Sequence, residues 1–161
     1  MVASAIPENA HYLDQLEGRW TGEGRGLWDA HSPFRYSEEV TFAPTGKPFL
    51  HYLQRTNGLA DNRSLHTETG YLRATGDGNV EMLIVQPTGF AEVYVGTLRP
   101  GEMALTLIDF ARTPTALTVT EIQRQIFFDG DTLTYLVRLA MNGEPLADHL
   151  SGRLHRSPIQ S

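Results

Sequence analysis

Along most of the chain apolar and polar residues alternate with a period of two. Phe34, Tyr36, Val40 and Phe42 share one parity, as do Leu133, Tyr135, Val137, Leu139 and Met141. Val80, Met82 and Ile84 alternate with Glu81, Leu83 and Val85 in a more apolar version of the same pattern. Successive strand residues point to opposite faces, so this parity describes sheets with one face toward a core. No long amphipathic helix competes. Only Pro7-Glu8-Asn9-Ala10 and the run from His11 to Leu16 suggest a short helix, placed over one end of the fold.

The pattern predicts ten strands near 18–28, 34–43, 48–57, 64–74, 79–86, 90–99, 102–112, 117–128, 131–141 and 146–156. Turn chemistry separates them: Pro44-Thr45-Gly46, Asp61-Asn62, Gly76-Asp77-Gly78, Pro87-Thr88-Gly89, Pro100-Gly101, Asp129-Gly130-Asp131 and Asn142-Gly143. Gly and Asn supply positive φ and Pro a preset φ. Connections this short join antiparallel neighbours. The expected fold is all-β, a ten-stranded antiparallel up-and-down β-barrel of the lipocalin or fatty-acid-binding type, since closing a meander removes its edges. About eight strands already leave room for a small ligand, so an internal cavity follows from the architecture.

At 161 residues the chain suits one domain, 1–161, with the barrel over about 14–156. A chain of this length buries roughly 70% of its unfolded surface without needing staples. Cysteine is absent, which excludes disulfides, thiol nucleophiles and cysteine-ligated metals and fits a reducing cytoplasm. The formal charge of −6 contains no basic run, which argues against nucleic acid as a partner. The first residues lack a basic leader followed by an apolar stretch, and no apolar run approaches the roughly 20 residues that span a bilayer. The expectation is a soluble cytoplasmic protein with no membrane partner.

Gly18-Arg19-Trp20-Thr21-Gly22-Glu23-Gly24-Arg25-Gly26-Leu27-Trp28 is the most informative segment. One parity carries Arg19, Thr21, Glu23 and Arg25 and belongs outside. The other holds Trp20 and Trp28 with glycines between them. Strand glycines mark a bend, tight packing or a close approach to the backbone. The inward glycines therefore serve either a barrel bend or a flat wall against a bulky planar ligand. A dinucleotide-binding loop is excluded because no helix follows.

Six histidines are present, His11, His31, His51, His66, His149 and His155, with no HExxH pair. His149 and His155 on one strand would lie roughly 20 Å apart, too far to share an ion. His149 sits in Pro145-Leu146-Ala147-Asp148-His149-Leu150, opposite in parity to Leu146, Leu150 and Leu154. It can reach the interior only if those leucines face outward or a bulge resets the phase. His66 shares a face with Glu68, Gly70 and Leu72, which allows a half-buried His–Glu pair or a polar group above a bound ligand. No GxSxG elbow or P-loop occurs, and the adjacent Glu38 and Glu39 point to opposite faces and cannot act together on one substrate. Met82, Met103 and Met141 read as core residues.

From about residue 14 to 156 the chain resembles the nitrobindins. The resemblance is carried, in order, by Gly18-Arg19-Trp20-Thr21-Gly22-Glu23-Gly24, Phe34-Arg35-Tyr36-Ser37-Glu38-Glu39-Val40, Gly46-Lys47-Pro48-Phe49-Leu50 and His66-Thr67-Glu68-Thr69-Gly70-Tyr71-Leu72-Arg73. Gln86-Pro87-Thr88-Gly89-Phe90-Ala91-Glu92-Val93, Ala111-Arg112-Thr113 and Pro145-Leu146-Ala147-Asp148-His149-Leu150 complete it. The resemblance implies a barrel holding ferric haem b at its open end, with His149 as proximal iron ligand and catalytic centre through that iron. It places His66 near the distal side, and Trp20, Gly22 and Gly24 against the cofactor. It further implies isomerisation of peroxynitrite to nitrate, binding of nitric oxide, and a homodimer among the assemblies open to the chain. Two positions depart from the family: Trp28-Asp29-Ala30 replaces a common Tyr-Pro-Thr, and Leu117 replaces a common lysine, so polar contacts to the haem edge are fewer. A haem-free barrel carrying a hydrophobic small molecule is the competing expectation. A partner-binding barrel has no patch or tail in its favour.

Overall fold

In a computed structural model, which describes residues 6–29 and 31–158, ten strands close into one barrel. The strands are β1 (Gly18–Leu27), β2 (Pro33–Lys47), β3 (Phe49–Gly58), β4 (Ser64–Gly76), β5 (Asn79–Gln86), β6 (Phe90–Arg99), β7 (Glu102–Arg112), β8 (Val119–Asp129), β9 (Thr132–Met141) and β10 (Ala147–Arg156). Each pairs antiparallel with its sequence neighbours, and β1 pairs with β10 from Trp20↔Arg156 to Gly26↔Leu150. The expected up-and-down barrel is the observed one.

Most strand boundaries lie within two residues of the sequence expectation, and two differences bear on the shape of the barrel. Pro44-Thr45-Gly46 does not end β2, which continues to Lys47 through an irregularity in its pairing with β3. β8 begins at Val119 rather than 117, and β7 pairs with it only from Glu102↔Phe127 to Thr106↔Gln123. The two strands therefore diverge toward one end of the barrel.

The ends of the barrel are unlike. At one, the N-terminal segment forms a 3₁₀ helix, Glu8–Gln15, that buries Ala10 and Leu13 and ends on the buried Leu16. Asn9 fixes it to the β4–β5 turn by donating to the Asn79 carbonyl (2.8 Å) and accepting from the Gly76 amide (3.1 Å). Trp20 donates its indole N–H to the Leu16 carbonyl (2.8 Å), and the Arg156 guanidinium lies over its ring at 4.1 Å. Arg156 also donates to the carbonyls of Gln15 and Glu17 and pairs with Asp131. Beneath this lid Phe42, Leu72, Val80, Leu98, Met103 and Leu154 fill the barrel. Each such side chain contributes about 1.5–3 kcal/mol on burial.

The other end is a mouth, formed by the β1–β2, β3–β4, β5–β6, β7–β8 and β9–β10 connections. The outer wall carries exposed ion pairs, Arg19–Glu39, Arg35–Glu23 and Arg73–Glu81 among them. No helix among the described residues is long and apolar enough to cross a membrane.

Candidate functional site

A cavity of about 290 Å³ opens at the mouth. Its upper belt is apolar: Trp28, Phe34, Leu117, Leu139, Met141 and Leu150, with Trp28 stacked on Phe34 at 4.9 Å between centroids. Two imidazoles, His66 and His149, interrupt that belt. Its floor is polar, which alternation in the apolar pattern alone did not lead one to expect.

His149 reaches the cavity through a bulge. In the β9–β10 register Asp148 faces Arg138 and Leu150 faces Val137, leaving His149 as the extra residue. The bulge resolves the phase conflict: Leu154 stays wholly buried and Leu150 packs on the core, while His149 also turns to the mouth. The His149 Nδ1–H donates to the Leu27 carbonyl at 2.8 Å, which leaves Nε2 with an unshared pair. Burial pushes this imidazole below its ordinary pKa, against the opposing Leu27 hydrogen bond, so the neutral, ligating form prevails at neutral pH.

His66, on β4, sits with Nε2 3.3 Å from Glu68 Oε2, the His–Glu pair that their shared parity suggested. Glu68 belongs to the floor. Arg124 grips it with Nη1 at 2.7 Å and Nη2 at 3.2 Å, and the Tyr52 hydroxyl donates at 2.7 Å. Burial would raise the Glu68 carboxyl, but the Arg124 charge and the hydrogen bonds from His66 and Arg124 hold it well below the usual range. Glu92 accepts from Tyr94 and Gln86, and burial raises it. Glu38 accepts from Gln54 (2.6 Å) and from Tyr135 (2.5 Å), whose hydroxyl also meets that of Tyr36. Burial pushes Glu38 up to about 7. Gln54 Oε1 has no hydrogen-bond partner among the described residues.

Glu92, Arg124 and the inward place of Glu38 escaped the sequence, though a signal existed. Glu38 has the parity of Tyr36 and Val40, Glu92 that of Phe90 and Tyr94, and Arg124 that of Ile122 and Ile126. Charged residues at inward phase mark a buried polar network or a ligand site.

Three expected cofactor contacts lie outside the wall of the mouth cavity. Trp20 lies in the closed-end core, and neither it, Gly22 nor Gly24 lines the cavity. A Cβ on Gly22 would strike the Arg153 backbone, and one on Gly24 the Tyr36 ring. Gly152, paired with Gly24, seats the Tyr135 ring in the same way. Gly24 and Gly152 are thus cradles for the tyrosine pair that ends on Glu38, and Gly22 makes room for the β10 backbone, as in the tight-packing alternative. Gly24 does border a second, more open depression along β1, β9 and β10 that includes His149. Leu117 lies in the cavity wall and is 60% exposed, whereas Ala30 lies outside the described residues.

The donor set limits what can bind. Among the described residues no three His, Cys, Asp or Glu side chains could share an ion. One neutral imidazole aimed into an apolar belt instead suits a metal that brings its other ligands in a flat macrocycle.

Residues 9–156 match the family described as the THAP4-like, heme-binding beta-barrel domain. A protein of Mycobacterium avium named peroxynitrite isomerase 2 is 44% identical over 148 residues, covering 89% of this chain and 92% of its own. Peroxynitrite isomerase 1 of Rhodococcus jostii is 43% identical over 151 residues, covering 94% of this chain and 86% of its own. The crystal structure of Rv2717c from M. tuberculosis superposes with a TM-score of 0.86 at 40% identity, over 95% of this chain and 99% of that one.

Proposed function

Because the chain belongs to the THAP4-like, heme-binding beta-barrel domain family, we propose that it holds ferric haem b in the mouth cavity, where His149 Nε2 would hold the iron, and isomerises peroxynitrite to nitrate there. The observation that carries the reading is the hydrogen bond from His149 Nδ1 to the Leu27 carbonyl, which leaves Nε2 of this cavity-lining ring as the nitrogen with a free lone pair. A second-shell acceptor of this kind fixes the tautomer and orientation of a ligating histidine. The names of the relatives support the reaction class.

Haem, when bound, would supply a redox-active iron open to a small oxidant. The chain does the rest. Trp28, Phe34, Leu139 and Met141 give the macrocycle an apolar bed and keep bulk water from its faces. On the floor Arg124 is taken up by Glu68 and Glu92, so it offers an anion no unpaired positive charge. Isomerisation exchanges no electron with an outside donor, and no residue of the cavity needs to act as one. Nitric oxide, small and uncharged, would reach the same iron. The cysteine-free sequence suits a cytoplasmic location.

A second reading, a carrier of a hydrophobic small molecule, draws on the exposed Trp28 (59%) and Leu117 (60%) at the rim. Titration of hemin into the protein and into His149→Ala separates the two. The proposal expects a saturable Soret band at one haem per chain, lost in the variant, and stopped-flow acceleration of peroxynitrite decay only by the haem-loaded wild type. A colourless protein indifferent to hemin would leave the carrier standing.

A further inference from the structure

The two cavity histidines are pinned in opposite tautomers. His149 donates from Nδ1 to the Leu27 carbonyl. The partner of His66 Nε2 is Glu68, already receiving Arg124 Nη1 and Nη2 and the Tyr52 hydroxyl. Glu68 is buried, and its bidentate contact with Arg124 keeps it ionised. An ionised carboxylate only accepts. Its contact with His66 at 3.3 Å therefore requires the proton on Nε2, so that in the neutral ring Nδ1 carries the lone pair. His66 lines the same cavity as His149.

Resting on the haem reading above, we infer that Glu68 is a positioning residue that makes His66 the proton acceptor for weak acids entering the cavity. A neutral acid H–A, such as the protonated form of the oxidant, enters past the apolar rim more easily than its anion. At His66 the H–A bond breaks, a new N–H bond forms at Nδ1, and the bonding pair stays on A as the anion. The imidazolium so formed carries N–H groups on both nitrogens: Nε2–H toward Glu68, which stabilises its charge, and Nδ1–H for the anion. The anchoring is rigid. Glu68 is held from β8 by Arg124 and from β3 by Tyr52, so the base is oriented by a third group, as in other acid–base sites. The other charged groups of the floor do not replace it: Glu92 is engaged by Tyr94 and Gln86, and Glu38 by Gln54 and Tyr135.

The first test needs no haem. Long-range ¹H–¹⁵N correlation spectra of the haem-free protein should show His66 as the Nε2–H tautomer and His149 as the Nδ1–H tautomer. In Glu68→Gln, whose amide can donate as well as accept, His66 should become a mixture of the two forms. A wild-type His66 protonated on Nδ1 alone overturns the proposal even if haem binds. The second test uses hydrogen cyanide, a weak acid undissociated at neutral pH, as the probe of the haem-loaded protein. Its association rate should fall roughly tenfold or more in both Glu68→Gln and His66→Leu, at retained Soret intensity. A rate within about twofold of wild type in either variant overturns the role. Should Glu68→Gln fail to fold, the wild-type spectrum and His66→Leu decide the matter. A protein that takes up no hemin defeats the functional reading and the role together, and the tautomer spectrum still reports separately whether Glu68 pins the ring.

Discussion

Enclosed by Tyr135, Gln54 and the cavity floor, Glu38 holds its proton more tightly in the fold than a free glutamate does, burial having pushed it up to about 7. Its contribution to stability is present in full below the unfolded glutamate value of 4.5 and is lost as pH rises through about 7. Glu68 has the opposite sign: stability from its ion pair is present above the unfolded value and is lost only in strong acid. Urea midpoints of the wild type should therefore fall between roughly pH 5 and pH 8, by on the order of 2–3 kcal/mol of unfolding free energy, and Glu38→Gln should flatten that slope. An unchanged slope in the variant would show that Glu38 is not the titrating group. At this scale the sequence was half legible. Parity placed Glu68 beside His66 and put Glu38 opposite Glu39, and the structure agrees. What parity could not reveal is which residues meet across the barrel, since Arg124 and Glu68 are 56 positions apart and are joined only by closure.

Among elements, β1 and β10 repay comparison. The alternation in β1 was plain, yet the purpose of its glycines was open because the Tyr36 and Phe34 rings that occupy the space beside Gly24 and Gly26 come from β2. Gly24→Val would drive two methyl groups toward the Tyr36 ring and should cost about 1–3 kcal/mol, read as a lower urea midpoint. In β10 the pattern contradicted itself at His149, and that contradiction was the legible sign of the bulge. β8 adds a cross-barrel tie, since Arg124 reaches Glu68 on β4 and lies 3.7 Å from Glu92 on β6. Arg124→Leu leaves Glu68 buried without its counter-charge and should cost about 3–5 kcal/mol, enough to remove most of the margin of an ordinary domain. Calorimetry at neutral pH would measure it, and a loss below about 1 kcal/mol would mean the floor rearranges or admits water.

For the whole molecule, closure joins the first strand to the last, so many native contacts are distant in sequence. Chains with such topology refold in roughly milliseconds to seconds. The buried Trp20 offers the probe: its fluorescence should report a phase in that range by stopped flow, and a microsecond collapse to native intensity would contradict it. Strand count, order and antiparallel closure were all legible, because short turns allow few alternatives. That a short helix closes one end was legible too; how it is held there was not. Its docking rests on single bonds such as those of Asn9 to the β4–β5 turn.

The clasp of Arg156 over Trp20 brings β1 and the end of β10 to the same pole as the N-terminal helix, where the Ser157 amide bonds the Arg19 carbonyl at 2.7 Å. Anything tethered beside Pro7 or Ser157 would hang from the pole opposite His149. A surface or fusion partner attached there would hold each molecule with its opening turned to the medium, and a circular permutant cut at Gly130 and spliced near Pro7 and Ser157 should keep its imidazoles in place.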